Sequence, residues 1–274
     1  MLTAAQAGEL APIPTGELLG AMHGTLDLRV DPRSAAAALA RLLEEDPGAH
    51  VEWGAVVHEI EPGEVRSLQL TVRAPRIVIC PGPDYAALPP IAQHGLSRLS
   101  LCKLQMLCVA APQGRRYGPA LATGLSTIRY PAFTAQPDSE HVRERLIAQR
   151  PDLLEAGIHL IVTQLPRGDL IIGDTHTYAD PPTPFREERL DELLLAEARR
   201  LLGADGLEVR ERWLGIYPTA AGHLATTGDH FVVTSPFDGA RVVEVTSGLG
   251  MTMAFGHAAA VLDGFEHESV ASSD

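Results

Sequence analysis

Two glycines stand where a β-branched run gives way to a helical pattern in VTSGLGMTMAFG, residues 245–256. Bare backbone at such a handover admits a phosphate, admits a flat cofactor ring, or makes a tight turn with no ligand at all. Val242–Val245 read as the end of a buried strand. The helix that follows directs its N-terminal N–H groups back toward the opening left by Gly248 and Gly250, which favours negative charge there. No dinucleotide fingerprint is formed, because GxGxxG needs a third glycine and a strand-turn-helix start. On this stretch alone the ligand readings and the simple turn both stand.

Other chemistry is sparse. GxSxG, HExxH and GxxxxGK[ST] do not occur, so no nucleophile elbow, zincin helix or phosphate loop is signalled. The eleven histidines have no ligand spacing and no metal site is expected. Cys80, Cys102 and Cys108 form no CxxC pair and sit among apolar residues, which reads as small buried hydrophobes and not as a zinc or disulfide framework. A Ser-His-Asp hydrolase stays open because triads need no sequence proximity, although nothing points to its nucleophile. Two polar, aromatic clusters interrupt apolar strands: GDTHTY at 173–178 and RWLGIYP at 212–218. Each is either part of a site or a surface loop at a strand end.

Composition narrows the partners. Lys and Arg total 22 against 35 Asp and Glu, a net charge of −13. Cations cluster only in GRRY at 114–117, so neither a nucleic acid backbone nor an anionic membrane is an expected partner. No run reaches the roughly 18–20 apolar residues of a membrane span. MLTAAQAGELAPIP lacks the basic start and apolar middle of a signal peptide, and a cytoplasmic, reduced setting is expected. With 45% apolar and 21% charged residues over 274 positions, the chain can bury a sizeable core in one large domain or two modest ones.

The elements that must position these residues fall into two kinds. Asp31 and Pro32 suit a helix start, and the Ala and Leu spacing predicts a helix to about Glu45. HVEWGAVVHEIEP reads as a β segment, VRSLQLTVRA as an exposed hairpin strand, and RIVICPG at 76–82 as a strand buried on both faces, of the parallel-sheet kind. LCKLQMLCVA, LSTIRYPAFTA, IHLIVTQLP and DLIIGDTHTY read as longer, closely connected strands of an antiparallel sheet, with SEHVRERLIAQ as a helix among them. REERLDELLLAEARRLLG at 186–203 is the clearest amphipathic helix, with Gly203 as its stop. GLEVRERWLGIYP, HFVVTSP and ARVVEVTSG follow as strands, then a closing helix from about Met251 to Phe265. The expected fold is α/β plus β: residues 1–97 and 208–274 form a discontinuous parallel-type portion, and 98–207 an antiparallel insert.

The ordered series DPRSAAAALARLL, VVHEI, RIVICPG, KLQM, LIIGDTH, RWLGIYP and VTSGLGMTMAFG resembles the D-amino-acid-oxidase-like (DAO), FAD-dependent oxidoreductases, over nearly all of residues 1–265. GDTHTY and RYPAF are most similar to the branch associated with phosphonate breakdown. The resemblance implies FAD as cofactor, bound in a Rossmann-like domain of the glutathione-reductase type, with the inserted sheet carrying a small-molecule amine or amino-acid substrate. It implies oxidation of a C–N bond by hydride transfer to flavin. Gly248, Gly250, Met251 and Thr252 would face the pyrimidine side of the ring, Val57 would contact adenine through its backbone, and Gly82 would lie beside the cofactor. Arg129, Tyr130 and Tyr178 would bind substrate, Arg129 as a bidentate anchor for a carboxylate or phosphonate. His176 and Tyr217 would stand at the reacting centre, His176 as a hydrogen-bonding or proton-accepting group.

One departure from the family pattern matters. The family opens with a strand, GxGxxG and a helix that cradle the FAD pyrophosphate, and this sequence has none of them. The Rossmann-like portion is therefore expected to be incomplete. The chain is read as part of a longer gene product, as half of a split enzyme with a partner chain, or as a remnant. Each predicts poor retention of FAD by this chain alone and an exposed apolar sheet edge open to a partner or to self-association. The reading from another class is a non-catalytic binding or pairing subunit.

Overall fold

The computed structural model describes residues 1–179, 181–220 and 230–271, and the side chains of these up to Phe265. It divides into two compact units. The first comprises Met1–His50, Lys103–Thr177 and Thr183–Gly215. The second comprises Val51–Cys102, Tyr178–Pro182 and Ile216–Asp274. The first fifty residues thus cluster with the antiparallel sheet and not with the parallel strands.

The large sheet is antiparallel, as its closely spaced strands predict. It contains β5 (Leu99–Val109), β6 (Leu121–Ala122), β7 (Ile161–Gln164), β8 (Leu170–Gly173), β9 (Thr177–Ala179) and β10 (Val209–Ala220). The strand order is β10-β5-β8-β7-β6, with β9 pairing with β5. β7 and β8 form a hairpin whose register sets Val162 opposite Ile172. Leu107, Leu160, Val162, Leu170 and Ile172 point to one face and pack against Leu194, Leu195, Ala198 and Leu202 of α7 (Glu188–Leu202). Each leucine so buried contributes about 1.5–3 kcal/mol. Gly203 ends α7 in the left-handed conformation at φ 59°, which a side chain would resist.

Asp191 and Glu197 of α7 are buried with their partners. Asp191, with no exposed surface, accepts from Arg186, from Arg212 and from Gln105 Nε2 at 2.6 Å. Glu197 accepts from Arg150 and Arg200. These pairs account for charges inside the apolar face.

Two expectations need correction here. LSTIRYPAFTA is not a strand: it forms two short helical turns, α3 (Gly124–Thr127) and α4 (Pro131–Thr134). Pro131 occupies the first turn of α4, where its missing N–H is harmless, and Tyr130 before it is extended, so proline chemistry overrides the β-like composition. The helix expected from Pro32 starts later, as α2 (Ala35–Glu45), after a turn in which Asp31 accepts from the N–H of Arg33 through its side chain and from that of Ala35 through its carbonyl. A helix that was not expected, α1 (Ala4–Leu10), carries a full capping box between Thr3 and Gln6. SEHVRERLIAQ forms α5 (Ser139–Gln149), followed by α6 (Pro151–Glu155).

In the second unit, β4 (Ile77–Ile79) runs parallel to β12 (Ala240–Val245), which pairs antiparallel with β11 (Phe231–Thr234). Ile77 and Ile79 are buried with Val232, Ala240 and Val242, whereas Val78 is 43% exposed. RIVIC is therefore covered on one face and not on both: in the order β11-β12-β4 it is the edge strand. The other face of β12 presents Val243 to Val261 and Phe265 of α8 (Gly250–Ala271). A second sheet, β1 (Val57–Glu61), β2 (Glu64–Ser67) and β3 (Thr71–Arg73), is a meander; VRSLQLTVRA, expected as one strand, is broken into β2 and β3 because Ser67 Oγ accepts from the N–H groups of Gln69 and Leu70 in a turn.

Candidate functional site

Strand β12 ends at Val245, Gly248 turns the chain at φ 71°, and Gly250 opens α8. A Cβ on Gly248 would stand 3.3 Å from the Tyr217 ring, and one on Gly250 would stand 3.7 Å from Val245. At the end of the parallel neighbour β4, Gly82 also takes positive φ, 62°, with open space where a side chain would go. The three bare backbones line one cleft of about 370 Å³ together with Pro83, Tyr217, Pro218, Glu244, Val245 and Met251. The cleft lies at the carboxyl ends of β4 and β12, where open α/β sheets bind ligands. The first turn of α8 carries no acidic residue, so its free N–H groups keep their preference for negative charge.

Five of the expected residues, Gly82, Tyr217, Gly248, Gly250 and Met251, are thus brought to one place. Thr252 follows in the first turn of α8. Val57 is elsewhere in the unit, half-buried at the start of β1, and is not part of this lining.

Glu244 was not singled out from the sequence. It is 4% exposed, its Oε1 accepts from the N–H of Val245 at 3.1 Å, and the Gly82 N–H is also directed at the carboxyl. Its Oε2 is buried without a hydrogen-bond partner. Burial pushes the Glu244 carboxyl up, against the pull of those two N–H groups. An acidic residue between the valines of ARVVEV, on the strand face opposite to Arg241, is the signal that marks it.

The first unit holds a second polar cluster, around His176. Its Nδ1 stands 3.2 Å from the Gly157 carbonyl and 3.6 Å from Asp174 Oδ1. His159 reaches the same carboxylate oxygen from 3.5 Å through Nδ1, while its Nε2 is 2.8 Å from Ser126 Oγ. The Tyr130 ring meets His159 edge-on at 5.2 Å. Burial holds His176 down to about 4, overcoming the opposing pull of Asp174, with Arg129 adding to the depression. Burial, and then Asp174, raise the Tyr130 phenol. Arg129 and Tyr130 therefore share an electrostatic environment with His176. Tyr178 falls in the second unit, on β9, and is 56% exposed.

Ser126, His159 and Asp174 follow one another in the order of a hydrolytic triad. Ser126 is 5% exposed and Asp174 lies beyond hydrogen-bond length from His159, so no open nucleophile results. Among the described residues no group of three or more His, Cys, Asp or Glu is placed to hold a metal, and no helix is long and apolar enough to cross a membrane.

Residues 1–263 match the family model described as DAO, FAD dependent oxidoreductase. Among solved structures, the chain is similar to L-proline dehydrogenase from P. horikoshii, with TM-score 0.61 and 16% identity over 92% of this chain and 60% of that one. It is similar to glycine oxidase from Geobacillus kaustophilus, with TM-score 0.58 and 21% identity over 91% and 58%. A glycerol-3-phosphate dehydrogenase from Bacillus halodurans, complexed with FAD, matches with TM-score 0.54 and 17% identity over 97% and 49%. The chain spans about 60% of the length of the first of these. No curated protein matches it in sequence.

Proposed function

The chain belongs to the DAO family of FAD-dependent oxidoreductases, and from that premise we propose that it serves the oxidation of a C–N bond in an amine or amino acid. The observation that carries this reading is the cleft at Gly82, Gly248 and Gly250, where three bare backbones meet the start of α8 beside an orphaned buried carboxyl oxygen. These features fit a flat ring and a negatively charged ligand. FAD, when bound, supplies the acceptor for the hydride.

This chain's own residues then have defined work. Gly248 and Gly250 let the ring approach the backbone, with Met251 and Thr252 presenting the first N–H groups of α8 to charge that develops on it. Gly82 borders the cofactor and Val57 takes the adenine end. Tyr217 walls the cleft. Arg129 anchors the substrate oxyanion, which we assign at finer grain to the phosphonate of an aminophosphonate, and Tyr130 and Tyr178 orient it. His176, held neutral, accepts a hydrogen bond from the substrate amine and so favours the uncharged amine that hydride loss requires.

A second reading, a pairing subunit, draws on α2, whose Leu39, Leu42 and Leu43 leave an apolar stripe exposed. The visible absorption spectrum after incubation with FAD and removal of the excess tests both. Flavin bands that stay with the protein, and hydrogen peroxide or dye reduction with amines, would support the first reading and overturn the poor retention expected of this chain alone. Retained flavin without turnover of any amine, amino acid or aminophosphonate favours the second, and a colourless protein agrees with the poor retention expected without the GxGxxG segment and moves the test to a chain that carries it.

A further inference from the structure

The mid-strand position of Glu244 gives it a definite chemistry. Val232 is its partner across the β11/β12 ladder and shares its face, whereas Val243 and Val245 point to the opposite side. Glu244 therefore stands on the same face as buried Val242, with its carboxyl at the cleft. Oε1 takes the backbone N–H of Val245, and Oε2, buried, has no hydrogen-bond partner. That division matches a neutral carboxylic acid, with Oε1 as the carbonyl that accepts and Oε2 as the hydroxyl that needs an acceptor. A buried hydroxyl with no acceptor is destabilising, and an occupant of the cleft can relieve that cost.

The surroundings favour the neutral form. The cleft lining contains no Lys, Arg or His. Arg241, on the same strand, points to the opposite face and stacks on Phe265 at 4.4 Å. His257 of α8 stacks on Phe231, the partner of Val245, and so also belongs to that face. The titratable groups toward Glu244 are the Cys80 thiol beyond β4, itself raised by burial and by Glu244, and the Tyr217 phenol across the cleft. Neither supplies a positive charge. From β11 and α8 the nearest residues on this side are Val232 and Met251.

We propose that Glu244 is a ligand-binding residue of this cleft, donating a hydrogen bond from its Oε2 hydroxyl to an oxygen of the bound flavin. The inference rests on the flavin reading of the cleft and adds a recognition residue to it. Filling the cleft excludes water from an already buried carboxyl and gives its proton an acceptor, so binding favours the protonated form. At a pH above the free-state value of Glu244, binding therefore takes up a proton, and affinity falls as pH rises through that range. The acceptor is a ring carbonyl, a polyol oxygen or a phosphate oxygen.

Isothermal titration calorimetry of the full chain, from pH 5 to pH 9 and in two buffers of different ionisation enthalpy, tests this with lumichrome, riboflavin and FAD as ligands. Wild type is expected to take up a proton on binding. Glu244→Gln, which keeps a neutral donor, should bind with no such uptake and with affinity independent of this titration. Glu244→Leu should bind about ten-fold more weakly at low pH, the worth of one buried hydrogen bond. Uptake with lumichrome assigns the acceptor to the ring, uptake beginning with riboflavin to the polyol, and uptake with FAD alone to phosphate. Flavin binding with uptake that persists in Glu244→Gln, or with undiminished affinity in Glu244→Leu, overturns the assignment and leaves the cofactor reading intact. A wild-type chain that binds none of the three overturns both. The thermal midpoints of the variants, unchanged within a few degrees, certify the fold.

Discussion

Gly248 is seated directly against Tyr217: a methyl group on its α-carbon would lie 3.3 Å from Cζ of the ring, with backbone φ at 71°. Two independent constraints, the left-handed backbone and the aromatic neighbour, thus hold the same position to glycine. Gly248→Ala is expected to lose about 1–2 kcal/mol from the backbone alone. The cleft should also widen or close as Tyr217 shifts. Thermal denaturation should show the loss and FAD titration a weaker complex, whereas Gly256→Ala, on α8 with open space around its α-carbon, should be neutral or stabilising.

Gly157 has an equivalent relation to the histidine cluster. A Cβ there would stand 2.8 Å from the His176 carbonyl oxygen, again at positive φ, 63°. Backbone against backbone cannot be relieved by a rotamer change, so Gly157→Ala should cost about 2 kcal/mol or more and push the 173–178 segment outward. The specific readout is the His176 titration followed by NMR. Its value should move from about 4 toward the ordinary 6.5 as the ring loses its burial.

The same depression makes stability depend on pH. His176 is neutral in the folded protein down to about 4 but titrates near 6.5 when unfolded. Below 6.5 the unfolded chain binds a proton that the folded chain refuses, so this contribution is complete above 6.5 and is lost progressively between 6.5 and 4. The full effect is on the order of 3 kcal/mol. Urea denaturation of wild type and His176→Gln across pH 4–8 checks it, since the wild-type slope in that window should flatten in the variant. A slope unchanged in His176→Gln would assign the acid sensitivity to other groups.

How far these sites were legible depended on the kind of signal. The glycine pair at 248 and 250 and the Pro-Gly stop at 82 are backbone signals, and the structure unites them because both follow neighbouring parallel strands. The periodicity of α7 and its glycine stop were equally readable. Arg129 and Tyr130 were misplaced on a strand because composition favoured β structure while Pro131 imposed a helical turn. The grouping of Ser126, His159 and Asp174 escaped notice because tertiary contacts, and not sequence proximity, make it: His159 and Asp174 exchange backbone hydrogen bonds beside the β7/β8 hairpin, and Ser126 reaches His159 from α3. Glu244 escaped because a charge in an apolar strand reads as an exception until the burial of each oxygen is known. The edge position of β4 depends on which strands lie beside it, which its own residues do not encode.

Asp191 governs the stability of the first unit. It has no exposed surface and joins Arg186, Arg212 and Gln105 between α7, β10 and β5. Removing the carboxylate leaves two guanidinium groups and an amide short of a partner, part-buried against the sheet. Asp191→Ala should therefore cost about 3–5 kcal/mol, the range for breaking a buried pair from one side. Asp191→Asn keeps the shape but loses the charge, so a smaller loss is expected. A double variant, Asp191→Leu with Arg186→Met, replaces charge by apolar volume and should recover part of the loss, because both ends of one pair leave together. Denaturant midpoints with a constant m-value would measure all three. Equal losses for Asp191→Ala and the double variant would locate the cost in the geometry of α7 and not in the stranded charge.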